Sequence, residues 1–179
     1  MFDPTAYENI RVVLEGIFYD KDLEGSITII DRNDIMNTAK LTRTYELLFR
    51  LTPSDEVANP QIICKVFLHA SLENLTAELL SVIHMKQEAG CNLKIEFLFD
   101  YKKDEFFLKQ IEKLLREEWT GTKIRQTVHY EPFKKVEKVK HHAEVNFFEM
   151  LKEEQISELP EICQQIMTIL LQMEKMITR

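Results

Sequence analysis

The chain has 179 residues, 45% of them hydrophobic and 30% charged, with a formal net charge of −7. That is the composition of a globular protein with a sizeable core and one domain, spanning residues 1–179. Its acidity argues against general nucleic-acid binding, which needs a basic surface to neutralise phosphates.

In chain order, Asn9 to Asp20 reads as a strand. Val12, Leu14 and Phe18 fall on one side, Val13, Ile17 and Tyr19 on the other, with Gly16 as a weak point or bulge. Asp22-Leu23-Glu24-Gly25 supplies a turn, and the β-branched run Ser26–Asp31 is the expected return strand. Asn33 or Asp34 can cap a short helical segment through Leu41. Thr44–Leu51 alternates as a strand does, with Tyr45, Leu47, Phe49 and Leu51 on one face. Thr52 to Pro60 is polar, contains two prolines and reads as a loop.

Gln61 to Tyr130 has the most legible organisation. Ile62–His69 is a short, nearly continuous apolar run, the mark of a strand covered on both faces. Ser71 can cap the helix Leu72–Glu88, whose Leu72, Leu75, Leu79 and Ile83 recur at helical spacing, and Gly90 closes it. Leu93–Asp100 alternates as a strand, Asp104–Glu118 carries the helical stripe Phe107, Ile111, Leu114 and Leu115, and Lys123–Tyr130 is a third strand. Strands joined through helices of this length predict a βαβαβ crossover unit with parallel strands. Beyond Pro132, Ala143 to Leu151 suits either a strand or a helix, and the spacing of Val136, Val139, Ala143, Phe147 and Met150 favours a helix. Leu159–Ile177 is a helix with Pro160 in its first turn. The fold class expected is therefore α/β, bordering on α+β. It has a mixed sheet with N-terminal antiparallel strands, the central crossover unit and a long C-terminal helix.

Asp20-Lys21-Asp22-Leu23-Glu24-Gly25-Ser26-Ile27 through Asp31 resembles an EF-hand calcium loop, with carboxylates at loop positions one, three, five and twelve and glycine at six. The flanking Val12, Val13, Gly16 and Ile17 are poor helix formers, whereas such a loop needs helices on both sides. An acidic hairpin tip without bound calcium is the expectation. Cys64, Cys91 and Cys163 lack CxxC spacing and read as reduced, buried thiols. His141 and Glu144, three apart on a helix, supply only two ligands of a transition-metal site, so no metal is expected. His84 sits beside its helix's apolar stripe and reads as a packed or surface residue, and Lys134 to Lys140 as a solvated basic face.

In a parallel sheet, ligands collect outside the carboxyl ends of the strands. Those ends would bring His69, Ser71, Asp100, Lys102 and Lys103 together around an anion. No Gly-rich phosphate loop, nucleophile–base pair or HExxH motif accompanies them, and no cofactor is implied. On the C-terminal helix Leu159, Ile162, Ile166, Ile169, Met173 and Met176 are spaced three, four, three, four and three apart, an a/d seam, with Cys163, Leu170 and Ile177 beside it. More apolar surface than one stripe suggests a homodimer through Ile162, Ile166, Ile169, Met173 and Met176. The leading expectation is a non-catalytic, homodimeric protein acting through protein–protein interaction with an unknown partner. The alternative is an enzyme or sensor for an anionic small molecule. No run of transmembrane length and no export signal at Met1-Phe2-Asp3-Pro4-Thr5 place it in the cytoplasm, away from membranes.

Overall fold

The computed structural model describes residues 5–52, 62–80, 89–130 and 137–178. The elements run α1 (Ala6–Leu23), β1 (Ile27–Asn37), β2 (Thr42–Leu51), β3 (Ile63–Ala70), α2 (Leu72–Leu80), β4 (Asn92–Tyr101), α3 (Glu105–Glu118), β5 (Thr122–His129), β6 (Val139–Phe147) and α4 (Leu159–Ile177), with a 3-10 turn at Glu153–Glu158 before α4. The loop expected up to Pro60, the second half of the helix expected through Glu88 with His84, and Lys134 and Lys135 lie outside the described residues.

The first element is a helix where the sequence suggests a strand. Tyr7, Ile10, Leu14 and Phe18 are fully buried, at steps of three, four and four. That stripe packs on the sheet and outweighs the weak helix propensity of Val12, Val13, Gly16 and Ile17. Thr5 caps the helix by accepting the Glu8 amide at 3.3 Å. Arg11 pairs with Glu8 and, at 2.8 Å, with Glu15 one turn on. Arg43 on β2 ties α1 to β1 by pairing with Glu8 at 2.8 Å and Asp34 at 2.6 Å. The two guanidiniums hold both carboxyls below their usual range: Arg11 is the larger influence on Glu8 and Arg43 on Asp34.

Gly16 is exposed in this helix, and a Cβ there meets nothing within 4 Å. Gly16→Ala is therefore expected to stabilise the protein by about 0.5–1 kcal/mol. A thermal melt should rise by about 1–4 °C. A lower midpoint would mean that the glycine serves a contact absent from this structure.

The acidic segment is a helix-to-strand turn, which corrects the hairpin expectation. Asp20 and Asp22 lie in the last turn of α1, and Gly25 reverses the chain at φ +76°. Asp22 accepts the Ile29 amide at 3.1 Å, while Asp31 already belongs to β1. The short helix expected from Asn33 is also absent, because β1 continues to Asn37 and pairs with β2 as far as Thr42.

The strand–helix–strand order of the central unit is as expected; the pairing is not. The six strands lie in the order β1-β2-β3-β4-β6-β5, and all five pairings are antiparallel. The expected mixed sheet with parallel central strands is therefore corrected to an antiparallel one. Strand β4 runs beside β3 in the opposite direction. Helix α3 does carry β5 across the sheet in the direction of β4, but β6 is inserted between them. β6 in turn corrects the helix expected over Ala143–Leu151. Val139, His141, Ala143 and Val145 alternate as buried residues, and ladders to both β4 and β5 satisfy its backbone.

Helices α1, α3 and α4 cover one face of the sheet. The shared core includes Tyr45, Leu47 and Phe49 of β2, Val66 of β3, Ile95 and Phe97 of β4, and Val145 of β6. Phe18 rests on Phe49 with ring centres 4.6 Å apart. Trp119 closes the α3 side, donating its indole N–H to Gln165 of α4 at 2.8 Å. On α4, Ile166, Ile169 and Met173 are fully buried within the chain and Ile162 and Met176 are half-buried against the same core. The seam that suggested a dimer is thus spent on the molecule's own sheet. Its extra width is taken up because α4 lies between α1 and α3 and meets both. Among its large apolar residues only Leu171 stays exposed.

Candidate functional site

Strand alternation sends the other half of the side chains to the second face of the sheet, and no described helix packs there. The register fixes its membership. Glu46 lies opposite Phe67, which lies opposite Lys94; Leu48 lies opposite Lys65, which lies opposite Glu96. Ile63 lies opposite Leu98, which lies opposite His142, and Glu96 lies opposite Glu144, which lies opposite Arg125. The result is a patchwork of ion pairs over aliphatic and aromatic groups.

The centre of this face is a ridge of linked charges. Lys65 meets Glu46 at 3.0 Å, Lys94 meets Glu96 at 2.6 Å and Arg125 meets Glu144 at 3.1 Å. The Lys94 and Lys65 ammonium groups also cover the ring of Phe67, at 3.9 and 4.4 Å from its centre. They shield an aromatic side chain that would otherwise face water. Asn146 donates to Glu144 at 3.0 Å. That hydrogen bond, helped by Arg125, holds the Glu144 carboxyl below its usual range.

Glu96, His142 and Glu144 bring an imidazole nitrogen and two carboxylate oxygens within 4.8 Å of one another. They are the group of metal-type donors found among the described residues. His141 and Glu144, which a helix would have placed on one side, do not meet, because on a strand these two point to opposite faces. His141 is buried against Phe99, with the rings stacked 5.1 Å apart, and its Nε2–H donates to the Tyr101 carbonyl at 3.2 Å. Had residues 139–147 been read with period two, His142 and Glu144 would have stood out on one face. The contribution of Glu96 depends on the register between two strands and has no local signal.

A hollow lies on each side of the ridge. One, of about 340 Å³, is lined by Ile63 and Leu98 with Asp100, His129, Lys140 and His142 around them. The other, of about 550 Å³, is lined by Thr44, Glu46, Phe67, His69, Asn92, Lys94 and Asn146 among others. Of the anion site expected at the strand ends, Asp100 lines the first hollow and His69 the second. His69 is paired with Asn92, eight residues before Asp100 on β4, so the two sit roughly 26 Å apart along an antiparallel strand. His69 bonds to the Thr44 hydroxyl at 2.9 Å, and burial with Lys94 nearby lowers its pKa. Ser71 caps α2, with its hydroxyl donating to Asn74 at 2.8 Å and accepting the Asn74 amide. Asp104 caps α3, with its carboxylate accepting the Phe106 and Phe107 amides. Lys102 and Lys103 lie over Tyr101 and Tyr130 at 5.6 and 5.0 Å. The five residues therefore do not converge on one site.

The thiols are shut away from solvent. All three are free and buried, and burial pushes Cys91 and Cys163 up to about 12 and Cys64 well above its ordinary value. No helix among the described residues is long and apolar enough to cross a membrane. Comparison with protein families, curated proteins and solved structures yields no match for this chain.

Proposed function

We propose that the protein is a non-catalytic, cytoplasmic binding domain that acts through protein–protein interaction, and that the uncovered face of its sheet is the surface on which two copies meet. The observation that carries this reading is the charge balance of that face. Arg50, Lys65, Lys94, Lys123, Arg125 and Lys140 stand against Asp31, Glu46, Glu96, Asp100 and Glu144. The chain as a whole carries −7, so two copies repel each other over most approaches. Over the open face that repulsion is absent, and rows of alternating charge can be matched by a two-fold axis. Leu48, Ile63 and Leu98 provide apolar contact between the charges.

The area is also adequate. Six strands about 4.8 Å apart and about eight residues long at about 3.3 Å per residue present roughly 700–800 Å². A standard interface uses about 800 Å² per partner. The buried, reduced thiols suit the cytoplasm.

Sedimentation velocity at about 50 µM tests the proposal. Wild type should sediment as twice the 21.2 kDa chain. Leu98→Glu, on the open face, should shift it to monomer, whereas Leu171→Glu, on the outer side of α4, should not. A wild-type monomer sinks the idea. Splitting by Ile35→Lys on the outer strand β1, with Leu98→Glu still dimeric, would replace it with edge-to-edge pairing.

A further inference from the structure

Glu96 and Glu144 face each other directly across β4 and β6, in the interior of the sheet. Like charges in that position repel, and Glu96 is only 9% exposed, so water does little to separate them. Lys94 and Arg125 take up the outer sides of the two carboxylates, at 2.6 and 3.1 Å. The inner side is different. His142 Nε2 lies 3.2 Å from Glu96 Oε2, yet it is shielded from solvent and makes no hydrogen bond. Nitrogen and oxygen are close together without being aimed at each other. That arrangement suits two donors directed at a third body between them.

We propose that Glu96, His142 and Glu144 are the ligands of a divalent transition-metal ion. One imidazole and two carboxylates form a mixed N,O set of the kind that zinc and its neighbours take, rather than the all-oxygen cage of calcium or magnesium. Bonds of about 2.0–2.2 Å to a tetrahedral ion place the donors about 3.3 Å apart. The three donors lie within 4.8 Å, and rotation about the side-chain bonds of two glutamates and a histidine covers the difference. Asn146, Lys94 and Arg125 then act as outer-shell groups that fix the carboxylates. Three protein ligands would leave one position of a tetrahedral ion open.

The test is isothermal titration of zinc into chelator-treated full-length protein, with manganese and magnesium as parallel titrants. One zinc should bind per chain. Magnesium should bind far more weakly. His142→Ala and Glu144→Gln should each weaken zinc binding at least tenfold, after circular dichroism shows each variant folded. His69→Ala, on the same face but at its far end, should leave the affinity unchanged. Absence of saturable binding to wild type would overturn the proposal, and so would equal affinity in wild type and both ligand variants. Each titration is read per chain, so its outcome stands whether the protein sediments as monomer or dimer.

Discussion

Ile169→Ala is expected to lower the unfolding free energy by about 2–5 kcal/mol. Ile169 is fully buried in the middle of α4, between Ile166 and Met173, which are fully buried as well. Removing its outer carbons loses their transfer energy and leaves a void that the sheet and the neighbouring helices cannot close. Ile169→Asp goes further, because a carboxylate in that position has no partner and no water, and the chain should not fold. Urea unfolding of the alanine variant at two protein concentrations checks the claim. The loss should be the same at both, since the residue packs inside one chain. A loss that grows on dilution would restore α4 as the contact between two chains.

Gly90→Ala should cost about 2–4 kcal/mol, through two causes that add. The residue sits at φ +148°, where a side chain is strained, and a Cβ there would run into the carbonyl of Leu151. That carbonyl is already engaged: it accepts the Cys91 amide at 3.0 Å, and the Leu151 amide donates to Cys91 at 2.8 Å. The pair of bonds joins the start of β4 to the segment leading into α4. Gly25→Ala is the comparison. Gly25 also has positive φ, at +76°, but a Cβ there meets nothing within 4 Å, so only the conformational cost of about 1–2 kcal/mol applies. Equal midpoints for the two variants in chemical denaturation would show that the close approach at Leu151 has no energetic weight.

The parts of the fold legible in the sequence are those whose signal is local. Phe107, Ile111 and Leu115 mark α3 by their spacing, the alternation of Leu93, Ile95, Phe97 and Phe99 marks β4, and Leu159–Ile177 marks α4 residue for residue. The misreadings share one cause: each needs to know what lies opposite. Val12 and Val13 look like strand residues until Tyr7, Ile10, Leu14 and Phe18 are seen to share a buried stripe. The apolar run Ile62–Leu68 looks doubly covered, but among the described residues helices meet only one face of β3. Parallel and antiparallel pairing leave the same mark on a short apolar strand, so the expected convergence of His69 with Asp100 rested on a direction the residues do not encode. The candidate metal ligands were hidden for the same reason. His142 and Glu144 are two apart, but Glu96 joins them only through the register of β4 with β6.

The insertion of β6 between β4 and β5 also orders events in time. Strand β5 is made before β6, yet among the described strands its ladder is formed with β6 alone. While the chain is being synthesised, β1 to β4 can zip together in sequence, each finding its partner already present. Strand β5 must wait, with its backbone unpaired, until residue 147 has emerged. Helix α4, which shields the core from the other side, arrives last of all. Until β6 is made the growing chain carries an unpaired β4 edge, and in that interval a nascent chain of this topology is most exposed to association with others.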